Sequence, residues 1–390
     1  MTVTLIESDL DPYALAFGEA YINDMIYWPG FGGGIMSGTG RGDLAKWTTA
    51  QYGTQSRFVW DISDDGGGGA AAADGIMMDL RSYGGQIRDL VFVGSSLNLI
   101  LGGGQPLTNP PNGGANYASA SVGILMQKET VISGSGGAGK MLIHNVGFAG
   151  LQTGIQMGNT TYTEAQSDIC TFSNCEFNRC DIAVHSTTQN SLDHLFESPI
   201  FRLTPIGFKI DAGGNWHISN PLILGQGFVL MDFTGAGSPA LGLGVRNANY
   251  TITNFKADAT SLDPQILLMN ASHPCTINVL GGVIGNELMT TPAFTCFDGC
   301  TLNITGFHQL QNNHIVFSNT GAYHPPIFNL TGCVMAETVL DAIDIFDLSA
   351  STGYAYVNMI GCSKIEDAVD PAAPDDYAYS NRMVKLTGLL

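Results

Sequence analysis

The chain has 390 residues, 50 of them glycine, with 34 acidic against 15 basic side chains and a formal net charge of −19. Charged residues are only 13% while hydrophobic ones reach 44%, which excludes intrinsic disorder. The acid excess argues against a nucleic-acid binder, which needs a basic footprint on phosphates, and gives no support to a polybasic membrane-surface role.

In chain order, the N-terminus lacks the basic-then-apolar pattern of a secretory signal, and no apolar run approaches the roughly 20 residues of a membrane span. Residues 8–24 predict a short helix: Asp11 can cap it, Pro12 suits its first position, and Tyr13, Leu15, Ala16 and Phe17 give it an apolar side. Residues 1–33 are therefore expected to cap an open β edge or to dock onto a larger assembly. The Gly66–Gly69 and Ala70–Ala73 runs mark an excursion. Residues 102–121, rich in Gly, Pro and Asn and uncharged, mark a projecting loop.

A six-residue pattern then recurs. Ile87–Phe92 and Ile143–Phe148 are followed by Phe172–Phe177, Phe196–Phe201, Ile218–Ile223, Ile252–Ala257, Ile277–Gly282, Ile304–Gln309, Leu330–Met335 and Met359–Lys364. From residue 143 onward the copies are about 27 residues apart. Apolar residues alternate as in a strand. The third position is Asn at 145, 174, 220 and 254 and Gly at 306, 332 and 361, the types that best tolerate positive φ. One tight corner per repeat implies a coil that turns sideways, a parallel β-solenoid of about eleven turns. Gly75, Gly123, Gly154, Gly207 and Gly227 each open an apolar run ahead of the next corner. Beyond residue 366 the Pro- and Asp-rich stretch 370–376 leads to a tail, 367–390.

The coil repeats, the opening stretch Gly34–Gly42, Phe58–Asp61 and the segment Ile87–Gly94 resemble the right-handed parallel β-helix proteins of the pectate-lyase-like group, especially phage tailspikes. The resemblance covers roughly residues 34–366 and implies an all-β, single-stranded right-handed parallel β-helix as the shaft of a homotrimer. It further implies a virion protein, assembled in the host cytoplasm and acting outside the cell. Such a protein would hold other virion proteins through its N-terminal segment and bind, often cleave, the surface polysaccharide of a bacterial host. Neither nucleic acid nor membrane insertion is expected. The chain lacks the Asn-Thr-Asp, Asp-Asp, Gly-His-Gly and Arg-Ile-Lys signatures of polygalacturonase-like hydrolases. Basic residues are scarce for pectate-lyase chemistry, which favours a glycoside hydrolase over a lyase if the chain is an enzyme, and a neutral or cationic glycan as ligand.

Candidate chemistry lies at strand ends. Asp211 and Asp232, with Asn270, Asp298 and Asn319, close short apolar runs, and stacking would bring Asp211 and Asp232 about one strand spacing apart, near glycosidase separations. Glu197 completes the catalytic set, with Asp193 and His217 on neighbouring repeats. The plain alternative is that these Asp and Asn side chains merely close turns. Trp216, His217 and Tyr250 are the glycan-binding candidates, with Tyr323 a further aromatic. The eight cysteines (170, 175, 180, 275, 296, 300, 333, 362) and eight histidines lack zinc-type spacing, so free buried thiols, no metal and no cofactor are expected. Cys175, Cys333 and Cys362 share one inward template position, and Asp341, Asp344 and Asp347 could line an exposed face. Three functions fit: a glycan-recognising spike, a non-enzymatic structural, decoration or adhesion protein of a virion, and a secreted polysaccharide hydrolase or lyase.

Overall fold

The structure is a computed structural model. It describes residues 13–14, 18–22, 26–28, 31–38, 56–60, 76–80, 83–94, 122–126, 138–158, 166–188, 190–224, 228–235, 248–257, 264–284, 291–311, 314–336, 345–349, 351–364 and 382–387. The projecting loop 102–121, the Gly66–Ala73 excursion and Asp341 and Asp344 lie outside these. Among the described residues the regular structure is strand, nearly all in parallel ladders. The chain divides into two compact units, Met1–Gly213 and Gly214–Leu390.

In the first unit each coil contributes to three ladders. One runs through Tyr13–Ala14, Phe31–Ser37, Tyr83–Arg88 and Ala138–His144 and then splits onto short strands, of which Thr171–Ser173 and Leu195–Glu197 continue the line. The second runs from Gly18–Ile22 through Ser56–Trp60, Val91–Val93, Gly147–Ala149 and Glu176–Asn178 to Ile200–Arg202. The third runs from Ile26–Trp28 through Ile76–Leu80, Val122–Met126, Thr153–Met157 and Ile182–Ser186 to Ile206–Ile210. The helix expected over residues 8–24 is thus replaced by strands. The local cap at Asp11-Pro12 is a weak preference, whereas Gly18–Ile22 satisfies a row of backbone groups on Ser56–Trp60. Strands before residue 34 thus pair in parallel with those that follow.

The corners follow from backbone sterics. Asp89, Asn145, Asn174 and Ser198, the third positions of four repeats, all have φ between 50° and 60°. Asn145 Nδ2 donates to Asp89 Oδ1 at 2.7 Å, and Asn174 Nδ2 donates to Asn145 Oδ1 at 3.2 Å, so the corner is also a polar ladder. Two further corners have no sequence signature: Lys140, Ile169 and Asp193 form one, and Gly150, Arg179 and Leu203 the other, all with positive φ. Corners along one coil stand five residues apart, and the residue after each points inward. That is why Cys170, Cys175 and Cys180 are five apart: they follow Ile169, Asn174 and Arg179, and all three are buried. Replacing Asn145 by Ala should lower stability by about 1–2 kcal/mol, since it loses both ladder bonds and strains a left-handed residue. Asn145→Gly, which keeps the backbone relaxed, should cost less. Equal denaturation midpoints for the two variants would contradict this account of the corner.

Phenylalanines fill the coil interior. Phe92, Phe148, Phe177 and Phe201 stack on successive rungs with ring centroids 5.0–5.7 Å apart, and Phe58 lies tilted against Phe92 at 5.7 Å. The glycines that open the apolar runs leave room for these rings. A Cβ on Gly154 would lie 2.7 Å from Phe177 ring carbons, and one on Gly123 would lie 2.9 Å from Phe148 Cδ1.

The second unit keeps the same logic with longer strands. Trp216–Ser219, Ala248–Ala257, Cys275–Val283, Cys300–Leu310, Ile327–Thr331 and Tyr354–Ile360 form its main ladder. The corner now lies inside the strand, at Asn254, Gly281 and Gly306, or just after it at Gly332 and Gly361, all with positive φ. Register corrects one repeat. Ile252 pairs with Val279 and Val279 with Ile304, so the copy begins at Val279 rather than Ile277, and Gly281 is its corner. A short ladder, Val229–Asp232, Gln265–Leu268, Phe294–Phe297 and Ile315–Ser318, backs the core. Arg382–Thr387, expected in a separate tail, instead lies antiparallel on Tyr354–Ile360 and covers the backbone edge that strand would otherwise expose.

Candidate functional site

The strands Ile182–Ser186 and Ile206–Ile210 pair in parallel, and His185 is the register partner of Lys209. Just past the second strand, Asp211 N–H donates to Ser186 C=O at 2.9 Å, and Ser186 Oγ donates to Ala212 C=O at 2.6 Å. This fixed turn places Asp211 Oδ2 2.9 Å from His185 Nε2, with the two side chains 28% and 19% exposed. The other oxygen, Asp211 Oδ1, is screened from solvent and has no hydrogen-bond partner among the described residues. A buried acceptor left open is uncommon and calls for an explanation. In the tautomer that carries its proton on Nε2, His185 donates to Asp211 Oδ2 and Nδ1 is the ring's acceptor. Lys209, half-buried on the adjoining rung, adds a cation to the same outward row.

Among the remaining strand-end candidates, Asp232 and Asn319 bond within their own turns, and Asn270 and Asp298 bond across coils. Asp232 is buried and its Oδ1 accepts the Thr234 N–H at 2.8 Å, within its own turn. Asn270 Nδ2 donates to Thr234 C=O and Asn319 Oδ1 accepts the Gly321 N–H. Burial would raise the Asp298 carboxyl, but the Ser272 hydroxyl, the N–H groups of Tyr323 (2.8 Å) and Thr320 (3.2 Å) and the Thr320 hydroxyl outweigh it and hold Asp298 below its usual range. Glu197 is exposed, on an outward row that continues from Arg88 and His144 through Ser173. Asp193 is exposed at a corner, and burial, then the Asp193 charge, raises the Asp168 carboxyl.

Two binding candidates are corrected. Trp216 and Tyr250 are buried in the core, edge to face at 6.2 Å, with Tyr250 also against Phe233, so neither offers a face to a sugar. Strand alternation is the cause: Trp216 and Ile218 point in, His217 and Ser219 out. His217 is exposed as expected, and so is Tyr323.

All eight cysteines are free and buried, and burial pushes Cys170 and Cys180 up to about 12, which makes their thiols inert. No group of three or more metal-ligating side chains occurs among the described residues. His194 is a core residue: its Nδ1 accepts the Cys170 N–H at 3.2 Å, and burial drives its pKa down to about 3. The unfolded chain, with histidine near 6.5, therefore takes up the proton first. Stability present above pH 6.5 is lost as pH falls below it, by about 2 kcal/mol from this group at pH 5. His194→Asn keeps an acceptor for Cys170 and should flatten the decline of melting temperature between pH 6.5 and 5. An unchanged slope would contradict it. His314, lowered to about 4 by burial, adds a parallel contribution.

No family model and no curated protein matches the chain. Among solved structures, the chain is similar to the A-module of mannuronan C-5 epimerase AlgE4 of Azotobacter vinelandii. The TM-score is 0.50 and the identity 12%, over 92% of this chain and 83% of that one. The A-module of epimerase AlgE6 from the same organism matches at a TM-score of 0.46 and 11% identity, over 91% and 90% of the two chains. The chain is a parallel β-helix protein. The expected fold class is thereby borne out, and at this identity the likeness carries the fold and nothing of the chemistry.

Proposed function

We propose that this parallel β-helix protein is a tailspike-like receptor-binding protein of a virion, recognising the surface polysaccharide of a bacterial host and cutting it at the His185–Asp211 pair. The observation that carries the reading is that pair, 2.9 Å apart and half-buried, with the buried Asp211 Oδ1 lacking a hydrogen-bond partner among the described residues. It offers an imidazole oriented by a carboxylate at a half-buried position of the coil. The acidic, lysine-poor composition favours a neutral or cationic polymer over an acidic one. In this reading the chain works as a homotrimer and attaches to other virion proteins through residues 1–33.

The adhesive, non-enzymatic reading rests on a different observation: Asp232 is spent on its own turn, so Asp211 has no second carboxylate assigned to it from the strand-end set. Reducing-end release from a panel of purified bacterial surface polysaccharides separates the two. Release from one polymer is the expected result. Binding of a polymer with no release from any would leave the spike and remove the enzyme.

A further inference from the structure

The main ladder of the second unit presents an outward face unlike the rest of the chain. Strict alternation buries every second residue, and register stacks the outward ones in rows: Thr251, Asn278, Asn303, Asn329 and Asn358 form the middle row. Thr276, Thr301, Ile327 and Tyr356 run along one side, Leu280, Thr305, Thr331 and Ile360 along the other. The amides are joined head to tail. Asn278 Nδ2 donates to Asn249 Oδ1 at 2.7 Å, Asn303 Nδ2 to Asn278 Oδ1 at 2.8 Å, and Asn329 Nδ2 to Asn303 Oδ1 at 2.7 Å.

Such a chain fixes the flip of each amide and polarises it, while an amide has a second N–H and a second lone pair to offer outward. The result is a series of preset donors and acceptors at the rung spacing of about 4.8 Å. Beside them, Leu280 (41% exposed), Ile360 (42%) and Tyr356 (39%) leave apolar surface in water. None of these outward positions on the four rungs from Cys275–Val283 to Tyr354–Ile360 is charged, in a chain of net charge −19. Beyond these four rungs the register brings titratable or charged residues: His217 pairs with Thr251 in the middle row, Lys385 pairs with Tyr356, and Lys256 and His308 lie past the corner.

We infer that this face binds a neutral, unbranched polysaccharide, its hydroxyls on the amide row and its C–H faces on the flanking apolar and threonine side chains. The inference rests on the reading of the chain as a glycan-recognising protein and assigns the recognition to the second unit, apart from the His185–Asp211 pair. Charge matching selects the occupant: along the four uncharged rungs an acidic polymer gains no cation and meets the repulsion of a chain of net charge −19, whereas a neutral one loses no charge solvation on docking.

The test compares wild type with an Asn303→Ala, Asn329→Ala double variant, using a neutral O-polysaccharide and polymannuronate as probes, with melting curves to certify folding and light scattering to report assembly. Wild type should bind the neutral polymer and not the polyuronate, and the double variant should bind it at least about tenfold more weakly, the loss of one to two hydrogen bonds. Asn303→Asp, which puts a charge in the row without a cavity, should weaken binding as well. Equal binding by the variants, or preference for the polyuronate, overturns the inference while leaving the glycan reading intact. A changed assembly state with unchanged binding would make the face a contact between copies and overturn it too. If wild type binds neither these polymers nor any host cell surface, both readings fall together.

Discussion

Phe177→Ala should lower the free energy of unfolding by about 3–5 kcal/mol, the largest single effect expected in the first unit. The ring is buried and stacks nearly parallel on Phe148 at 5.0 Å and Phe201 at 5.7 Å. Removing it opens a void between two rungs whose backbones are tied by the Glu176–Asn178 ladders on both sides, so the walls cannot collapse to fill it. Gly154 supplies the converse. Its missing Cβ is the space that Phe177 occupies, so Gly154→Ala alone should cost about 1–3 kcal/mol by overpacking. In the Phe177→Ala background the added methyl meets no ring, and the cost should shrink to what the Ala183 carbonyl imposes, 2.8 Å from the built Cβ. Denaturation midpoints of the two single variants and the double variant measure this coupling. Additive effects would contradict the assignment of the run-opening glycines to ring clearance.

Asp211→Asn should slow polysaccharide cleavage by about 10²–10⁴-fold, the usual contribution of a positioned acid/base. An amide cannot hold Nε2–H of His185 as a carboxylate does, and one of its two rotations would aim an N–H at the imidazole instead. His185→Gln should produce a loss of similar size, and the double variant should lose little more than either alone, because the two act as one unit. Glu197→Gln and Asp232→Asn mark the contrast. Glu197 stands on a different ladder, and Asp232 caps a turn through the Thr234 N–H, so the first should leave cleavage unchanged and the second should move stability rather than rate. Cleavage lost with Glu197→Gln and kept with Asp211→Asn would place the chemistry on the Arg88–Glu197 row.

The fold was readable because its corners need a left-handed residue, and Asn145, Asn174, Asn220, Asn254, Gly306, Gly332 and Gly361 all carry positive φ where the repeat put them. Where the corner fell on Lys140, Ile169, Arg179 or Leu203, no residue type announced it, because the surrounding ladders hold those residues in the strained region. A signal was nonetheless present in the five-residue spacing of Cys170, Cys175 and Cys180, which is the length of one side of the coil. The Ile277 copy was placed two residues early because Ile277 and Val279 are both inward and alternation alone cannot rank them. The N-terminal helix failed for the opposite reason, a recognisable but weak local cap overruled by a backbone edge that needed pairing.

The site was less readable. Asp211 could be chosen as a strand-end acid, but His185 stands a full coil earlier, and only the pairing of Ile182–Ser186 with Ile206–Ile210 brings them together. Trp216 and Tyr250 were misplaced although the alternation of Trp216-His217-Ile218-Ser219 already assigned Trp216 to the face of Ile218. The Asn278–Asn303–Asn329 row was hidden by its ordinariness: each residue is one outward amide on one strand, and the row exists only once register is known.

Recognition of a host surface polysaccharide is tested most directly by adsorption of the purified full chain to candidate bacterial host cells, before and after their surface polysaccharide is stripped. Saturable adsorption to intact cells, abolished by stripping and competed by the free polysaccharide, is the predicted result. Adsorption that survives stripping, or that free polysaccharide does not compete, would contradict it.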